Sequence, residues 1–290
     1  MNIKEKLDII KYIIKATLRL LLHYPRILIP FVIAALFNLS SLFILYLVPM
    51  YPLKKILGPP IVKFFGRQYL HYPYNFILLP NLFSYVKNFL VNPLISSLMI
   101  AICIGMIHNY YTQREPSFFR NLNKALRRYI HLILVMLVMA TLIYFVSRII
   151  PFLLTKIFAG WQGVGTLNFY IVFFLIVGIE SLFIYAFLAV MIKRKNILGA
   201  LKESLLCSSR LFFVTYLLVF IPRLLDLGTS IIQRKQLYFM NRFMPDITLL
   251  IISLAIIVAI LSDGLVYSLI SNLYILKEKS GSSENKTLSE

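Results

Sequence analysis

Two carboxylates lie inside long apolar stretches of the sequence, where an ionisable side chain needs a physical reason to be present. Glu180 lies in IVGIESLF and Asp263 lies in AILSDGLVYS. A carboxylate in hydrocarbon is costly, so an intramembrane acid is a candidate functional residue. One hypothesis is a proton or cation relay in which both acids titrate as a substrate passes. The other, which we favour from the sequence, is a structural role in which each acid is protonated or paired inside a helix bundle.

A third acid lies close to a basic residue in the segment FIPRLLDLG. Arg223 and Asp226 are three residues apart, so on a helix they share a face and can form an ion pair. Pro222 removes one helical hydrogen bond, which predicts a kink at this point. A kink beside an ion pair could act as a gate, although a local structural accommodation is the simpler interpretation.

Other chemistries lack the residues that they need. The four histidines are scattered, and Cys103 and Cys207 are far apart, so neither a metal site nor a disulfide framework is expected. The glycines of GWQGVGTLN have the spacing of neither a P-loop nor a dinucleotide-binding loop, and there is no G-x-S-x-G nucleophile motif. We therefore predict a protein without enzymatic activity and without a cofactor.

The composition indicates where these residues must be placed. The chain has 290 residues, of which 60% are hydrophobic and 14% are charged, whereas soluble domains are about 45–50% apolar and about 25% charged. A membrane-spanning helix needs roughly 20 apolar residues. The sequence contains six such stretches, at 27–49, 89–107, 129–150, 168–192, 211–231 and 247–276. We predict an all-α polytopic membrane protein with six transmembrane helices in a single domain, residues 1–276.

The distribution of basic residues predicts the orientation. Of the 30 Lys and Arg residues, 19 fall on the side of the two termini and 11 on the other side. Because Lys and Arg collect in cytoplasmic loops, we expect a multi-pass protein of the inner (cytoplasmic) membrane with both termini in the cytoplasm. Charges run through the first 25 residues, so no cleavable signal peptide is expected.

Three short segments on the predicted cytoplasmic side have the pattern of amphipathic helices, at about 3–25, 117–128 and 197–209. In the first segment, basic residues recur every three or four positions opposite a broad apolar face. This pattern is typical of a helix that lies in the membrane interface and is attracted by anionic lipid. Packing against the cytoplasmic end of the bundle is a second, compatible interpretation.

The same three segments suggest an internal repeat. A shift of 184 positions aligns Ala16 with Ala200 and Arg26 with Arg210. Each segment leads directly into a span, so the predicted unit is a short amphipathic helix followed by a transmembrane hairpin. Three such units would give the six spans, and internal repeats of this kind are common in membrane folds.

We also make structural predictions for the longest outer connection, 50–88, and for the C-terminal tail. Gly58, Pro59 and Pro60 follow one another in the connection, which predicts a break in any helix there. The tail, 277–290, is polar and rich in serine, which is typical of a disordered cytoplasmic segment.

Two segments resemble a known group of membrane domains. ATLRLLLHYPRILIPFVIAALFNL and ALKESLLCSSRLFFVTYLLVFIP resemble the six-span membrane domain associated with glycerophosphodiester phosphodiesterases and its stand-alone relatives. The resemblance implies a six-span architecture. It implies no catalytic activity, since nothing in this chain corresponds to the soluble barrel with its acidic metal ligands.

The basic segments suggest a function at the lipid surface. We expect a protein that organises lipid or a partner subunit, with a homo-oligomer as a further possibility and with no nucleic-acid partner. Lys and Arg near an anionic leaflet contribute on the order of 1 kcal/mol each. The residues expected to contact anionic headgroups or a partner are Lys11, Lys15, Arg19, Arg26, Arg127, Arg128 and Arg210. The alternative is a secondary transporter or channel that uses the intramembrane residues Glu180 and Asp263.

Overall fold

The computed structural model describes residues 3–158, 160–161 and 163–287, with side chains described to residue 278. Helices and turns make up the described residues, with no β-strand among them. The helices are α1 Ile3–His23, α2 Ile29–Tyr46, α3 Leu53–Phe65, α4 Tyr74–Val86, α5 Ser97–Tyr111, α6 Phe118–Leu126, α7 Tyr129–Ile157, α8 Val164–Phe183, α9 Tyr185–Met191, α10 Ile197–Arg234, α11 Gln236–Arg242 and α12 Ile247–Thr287. Short 3₁₀ turns precede α2 and α4, and a π-helical segment, Lys87–Ser96, joins α4 to α5. The prediction of an all-α chain is confirmed.

Six of the helical stretches are long and apolar enough to cross a membrane, as the sequence predicts. They are Pro25–Tyr46, Tyr74–Tyr111, Tyr129–Ile157, Val164–Met191, Ile197–Arg234 and Ile247–Glu278. The second stretch begins well before the predicted start at residue 89, because α4 and the π-helical segment continue directly into α5.

The prediction of a helix break at Gly58, Pro59 and Pro60 is wrong, because all three residues lie inside α3. Proline inside a helix removes a backbone donor and crowds the preceding turn, so packing must support α3, where Ile61 is buried in a cluster with Val48, Leu70 and Leu78. Gly58 is buried there, and a Cβ atom at this position would lie 3.5 Å from Leu70.

Helix α10 joins the predicted amphipathic segment 197–209 to the predicted span 211–231. The interruption between the two lies at Leu211, whose backbone angles, φ −126° and ψ 23°, are not helical. The residues around Pro222 keep helical backbone angles, and the interruption of α10 lies at Leu211. The short helix and the span that follows are thus two parts of one kinked rod.

Helix α12 continues past residue 277 to Thr287, where the sequence suggests a disordered tail. A helix adds one hydrogen bond for each residue that it fixes, and no proline stands between residue 247 and residue 287 to stop it. The last residues of that tail, 288–290, lie outside the described residues.

Helix α1 packs beside the C-terminal half of α12, where Thr17 contacts Asn272. We call this side of the bundle the terminal face and the opposite side the distal face. The half of the bundle near the terminal face is densely packed. Side chains of α5, α9 and α12, among them Cys103, Ile104, Phe187, Leu188 and Ile270, are fully buried there. These side chains form a packed layer across this part of the bundle.

Helix α1 packs along α10 and α12 at the terminal face. Ile10, Ile13 and Leu20 are buried in this contact, and the amide of Asn272 donates a hydrogen bond of 2.6 Å to the Thr17 hydroxyl. One face of α1 is therefore packed on the end of the bundle, as the second interpretation of this segment predicts.

Candidate functional site

A polar cavity of about 610 Å³ opens between the spans in the distal half of the bundle. Its walls come from the α4–α5 stretch, α7, α8, α10 and α12. The residues that line it lie in the parts of these helices that are remote from the terminal face. Polar space at this depth of an apolar bundle indicates a place for water or a hydrophilic ligand.

Arg223 is the centre of a charge cluster at the floor of this cavity. Its guanidinium contacts Glu180 through two nitrogens, with Nε donating to Oε2 at 2.8 Å and Nη2 donating to Oε1. Nη1 donates to Asp226 Oδ2 at 2.8 Å, and Nη2 lies 2.7 Å from Asp263 Oδ1. Three spans, α8, α10 and α12, are thereby joined through one side chain.

The charges in the cluster do not balance. One guanidinium faces three carboxylates, so an ionised cluster retains excess negative charge. The side chain of Glu180 is only 6% exposed, whereas Asp226 is 20% exposed and Asp263 is 31% exposed. Asp226 Oδ1 is buried without a hydrogen-bond partner. Asp263 and Asp226 are therefore the carboxylates that remain available to a ligand, while Glu180 is committed to Arg223.

The structure brings together four residues that the sequence places in three separate stretches. Asp226 pairs with Arg223, as their three-residue spacing predicts. Glu180 and Asp263 share the same arginine, a contact that neither sequence stretch indicates. Glu180 and Asp263 are paired, as the structural hypothesis predicts, and they also line a cavity, as the functional hypothesis requires.

A second polar wall, which the sequence analysis missed, faces this cavity. Ser84, Asn88, Asn92 and Ser96 recur at every fourth residue through α4 and the π-helical segment. Asn88 donates to Ser84 at 3.4 Å, Asn92 donates to Asn88 at 3.5 Å, and Ser96 donates to Asn92 at 3.1 Å. We call these four residues the polar ladder. The four-residue spacing was the signal in the sequence that could have revealed it.

The π-helical geometry of Lys87–Ser96 belongs to the same wall. π-Helical turns are rare and are frequent at functional sites. The segment carries Asn88, Asn92 and Ser96 into the cavity lining, so the irregular backbone lies where the span is polar.

Basic residues contribute to the cavity at the same wall. Lys87 lines it from the π-helical segment, and Arg148 lines it from α7. Arg148 donates to the hydroxyl of Tyr85 at 2.9 Å and stacks over the ring of Tyr144 at 5.6 Å. Acidic excess on α8, α10 and α12 therefore faces basic groups on the α4–α5 stretch and α7.

Aromatic side chains close the cavity toward the terminal face. Tyr267 lines the cavity and is 3% exposed. Its ring packs edge-on against Phe187 at 5.8 Å and stacks with Phe31 at 6.5 Å. The packed half of the bundle begins directly behind these rings.

The basic residues predicted to contact lipid or a partner are spread over the terminal face. Lys11, Lys15, Arg19 and Arg26 are exposed on or just after α1, and Arg210 is exposed at the kink of α10. Only Arg127 and Arg128 come together, in the wall of a separate cavity at this face.

A buried carboxylate holds the α9–α10 connection at the terminal face. Glu203, which is 9% exposed, pairs with Lys195 and with Lys193, whose Nζ lies 2.5 Å from Oε1. Burial acts to lower the pKa of Lys193, but hydrogen bonds with Glu203 and Tyr274 outweigh it and raise that pKa above its usual range. The ammonium therefore stays charged over the physiological range, which suits a structural role.

No metal centre forms within the part of the chain that the structure describes, since no three His, Cys, Asp or Glu side chains there are grouped to hold an ion. Comparison with known proteins gives no match to a family model, to a curated protein or to a solved structure.

Proposed function

We propose that this six-span protein is a secondary transporter for a small solute that carries a positive charge, with the charge cluster as its binding site. The observation that carries the proposal is the excess of carboxylate over guanidinium at the floor of a polar cavity inside the bundle. Ionisable groups within spans mark substrate and ion pathways. A cationic group would find its counter-charge on Asp263 and Asp226.

The binding step follows from the way in which Arg223 is shared. Glu180 engages the guanidinium through both oxygens, while Asp263 contacts it through one nitrogen. A bound cation can therefore draw Asp263 away from Arg223 without leaving the arginine unpaired.

The walls of the cavity favour a solute with a negative group as well. Lys87 and Arg148 lie on the wall that bears the polar ladder, and the acidic excess lies on α8, α10 and α12. A zwitterion would satisfy both walls, with its ammonium at Asp263 and its anionic group at Lys87 or Arg148. The amides of the ladder would donate further hydrogen bonds to it.

A carrier fits the packing better than an open pore does. The cavity opens in the distal half of the bundle, and a layer of fully buried side chains that includes Cys103, Phe187 and Leu188 lies behind it. A cavity that opens on one side of a packed layer fits alternating access around a central site.

A cysteine placed on the polar ladder should react with a water-soluble maleimide from the distal face only. We expect Asn92→Cys, in a Cys207→Ser background, to be modified in oriented vesicles because water fills the cavity at this depth. Native Cys103 is fully buried in the packed half and serves as the internal control, so the background chain should stay unmodified. Protection of Asn92→Cys equal to that of Cys103 would contradict a hydrated cavity, and equal modification from both faces would indicate a pore.

A second candidate function, organising anionic lipid or a partner, is favoured by the exposed surface of α1. Lys11, Lys15 and Arg19 are exposed on this helix, and so are the apolar side chains of Leu18 and Leu22. Basic groups beside exposed apolar groups are what a helix in the lipid interface requires.

Charge reversal on α1 should weaken the association with anionic lipid. We expect Lys11→Glu, Lys15→Glu and Arg19→Glu together to reduce co-purifying phosphatidylglycerol, since each basic residue contributes about 1 kcal/mol near an anionic surface. The same three positions changed to Arg, Arg and Lys form the matched control, which should retain the lipid. An unchanged lipid content in the reversed variant, measured by lipid mass spectrometry, would count against this function.

A further inference from the structure

A second cavity, of about 420 Å³, lies at the terminal face, where the end of α5, the helix α6, the start of α7 and the end of α9 meet. Its lining, as far as the structure describes it, contains no Asp or Glu. It contains five basic side chains, Arg114, Lys124, Arg127, Arg128 and Arg194. We call this feature the basic cavity.

Buried amides form a fixed part of its wall. Asn109 and Asn121 are 1% and 0% exposed, and the amide of Asn109 donates to Asn121 Oδ1 at 3.2 Å. Asn121 in turn donates to the carbonyl of Ser117 at 2.8 Å. Helices α5 and α6 approach so closely here that a Cβ atom on Gly105 would lie 2.6 Å from Asn121 Oδ1. The wall is therefore built by tight packing and does not depend on surface side chains alone.

The two loops that supply Arg114 and Arg194 are held by their backbones. The amide of Arg114 donates to the carbonyl of Asn109 at 2.8 Å. Arg194 itself has a φ of 54°, a left-handed conformation that is costly for a residue with a side chain. Strained backbones of this kind cluster at sites where a side chain must be aimed.

The positive charges in the cavity act on one another. Burial lowers the pKa of Lys124, and Arg120, Arg114 and Arg194 lower it further. The three arginines act on Lys124 as like charges, in keeping with a cavity lining that holds five basic side chains. A bound anion would relieve the repulsion.

We propose that the basic cavity is a binding site for a phosphate group. Arginine presents a planar set of donors that matches the oxygens of phosphate, and lysine adds a mobile charge. The volume suits a compact headgroup or a small phosphorylated molecule and excludes acyl chains from the site itself. The site is separate from the charge cluster and does not depend on the transport proposal.

Two sources could supply the phosphate: a phospholipid headgroup of the adjacent leaflet, or a free phosphate-bearing solute. The test uses the full-length protein in nanodiscs of phosphatidylcholine alone and of phosphatidylcholine with phosphatidylglycerol. Inorganic phosphate binding is measured by isothermal titration in the first, and retained phosphatidylglycerol is counted by native mass spectrometry in the second.

The variant is Arg127→Gln with Arg128→Gln, and the matched control is Lys54→Gln with Lys55→Gln, which removes two exposed charges from α3, outside the cavity and away from the basic surface of α1. We expect the cavity variant to lose about thirtyfold in affinity for the probe that occupies the site, from about 1 kcal/mol per basic residue. The control should bind as the native protein does. Arg114→Gln, in a loop, is the second variant should the double substitution fail to fold.

The outcomes separate the two sources. Binding of inorganic phosphate without retained phosphatidylglycerol would assign the site to a free solute, and retained lipid that phosphate cannot displace would assign it to a headgroup. If neither probe binds the native protein, or if the cavity variants and the control lose the same affinity, the proposal is overturned.

Discussion

Replacing Arg223 with Gln should destabilise the protein more than any other single substitution in the spans. The change leaves the buried Glu180 and the partly exposed Asp226 and Asp263 around a neutral amide. Removing one partner of a buried ion pair costs about 3–5 kcal/mol, because the remaining charge is left uncompensated. We expect a correspondingly large fall in the temperature at which the detergent-solubilised protein loses its monodisperse elution peak.

Two further variants separate this explanation from a general effect of losing an arginine. Arg148→Gln removes an arginine whose hydrogen-bond partner is the exposed Tyr85, and it should change stability by less than about 1 kcal/mol. Combining Arg223→Met with Glu180→Gln and Asp263→Asn removes two of the three uncompensated carboxylates and should recover much of the loss. A triple variant no more stable than Arg223→Gln would show that the shape of the guanidinium matters more than its charge.

Replacing Asp263 with Asn should strongly reduce solute uptake while leaving the bundle folded. Asp263 is the most exposed carboxylate of the cluster, and Glu180 and Asp226 still neutralise Arg223 when it is changed. A hydrogen bond to a charged group contributes about 1.5–3 kcal/mol, so the affinity for a cationic group should fall by about tenfold to a hundredfold. The measurement is uptake of a panel of radiolabelled amino acids and amines into proteoliposomes.

The matched control is Asp246→Asn, the same chemical change at an exposed position between α11 and α12, outside the cavity. It should take up solute at the native rate. Glu180→Gln is expected to lose both uptake and stability, since it breaks the two-nitrogen contact with Arg223. No uptake of any panel solute by the native protein, or equal uptake by the native protein and Asp263→Asn, would refute the transport proposal.

Much of the architecture could be predicted because the membrane imposes a strong length and hydropathy rule on each span. The six apolar stretches are found as helices, with Leu211 as the irregular point beside the predicted boundary at Arg210. The predicted break at Pro59 and Pro60 is wrong because it rests only on the local cost of proline, namely a lost donor and a crowded turn. The packing that compensates for the lost backbone donors cannot be predicted from the local sequence.

The site was only partly visible in the sequence. Spacing along one helix predicts the pair of Arg223 with Asp226, because the two residues share a turn. The contacts of Arg223 with Glu180 and Asp263 depend on how three spans are arranged, which no local pattern encodes. The polar ladder was overlooked because serine and asparagine contribute little to charge, although their four-residue period follows the helix.

The sharing of Arg223 among three carboxylates also constrains how such a sequence can change over generations. If Arg223 is substituted first, three carboxylates lose their counter-charge. If one carboxylate is lost first, Arg223 still has two partners. Lineages that dispense with the cluster should therefore lose Asp263 or Asp226 before Arg223, and Glu180 together with Arg223. In homologues of this chain, a neutral residue at the position of Arg223 should be very rare wherever the glutamate at the position of Glu180 is kept.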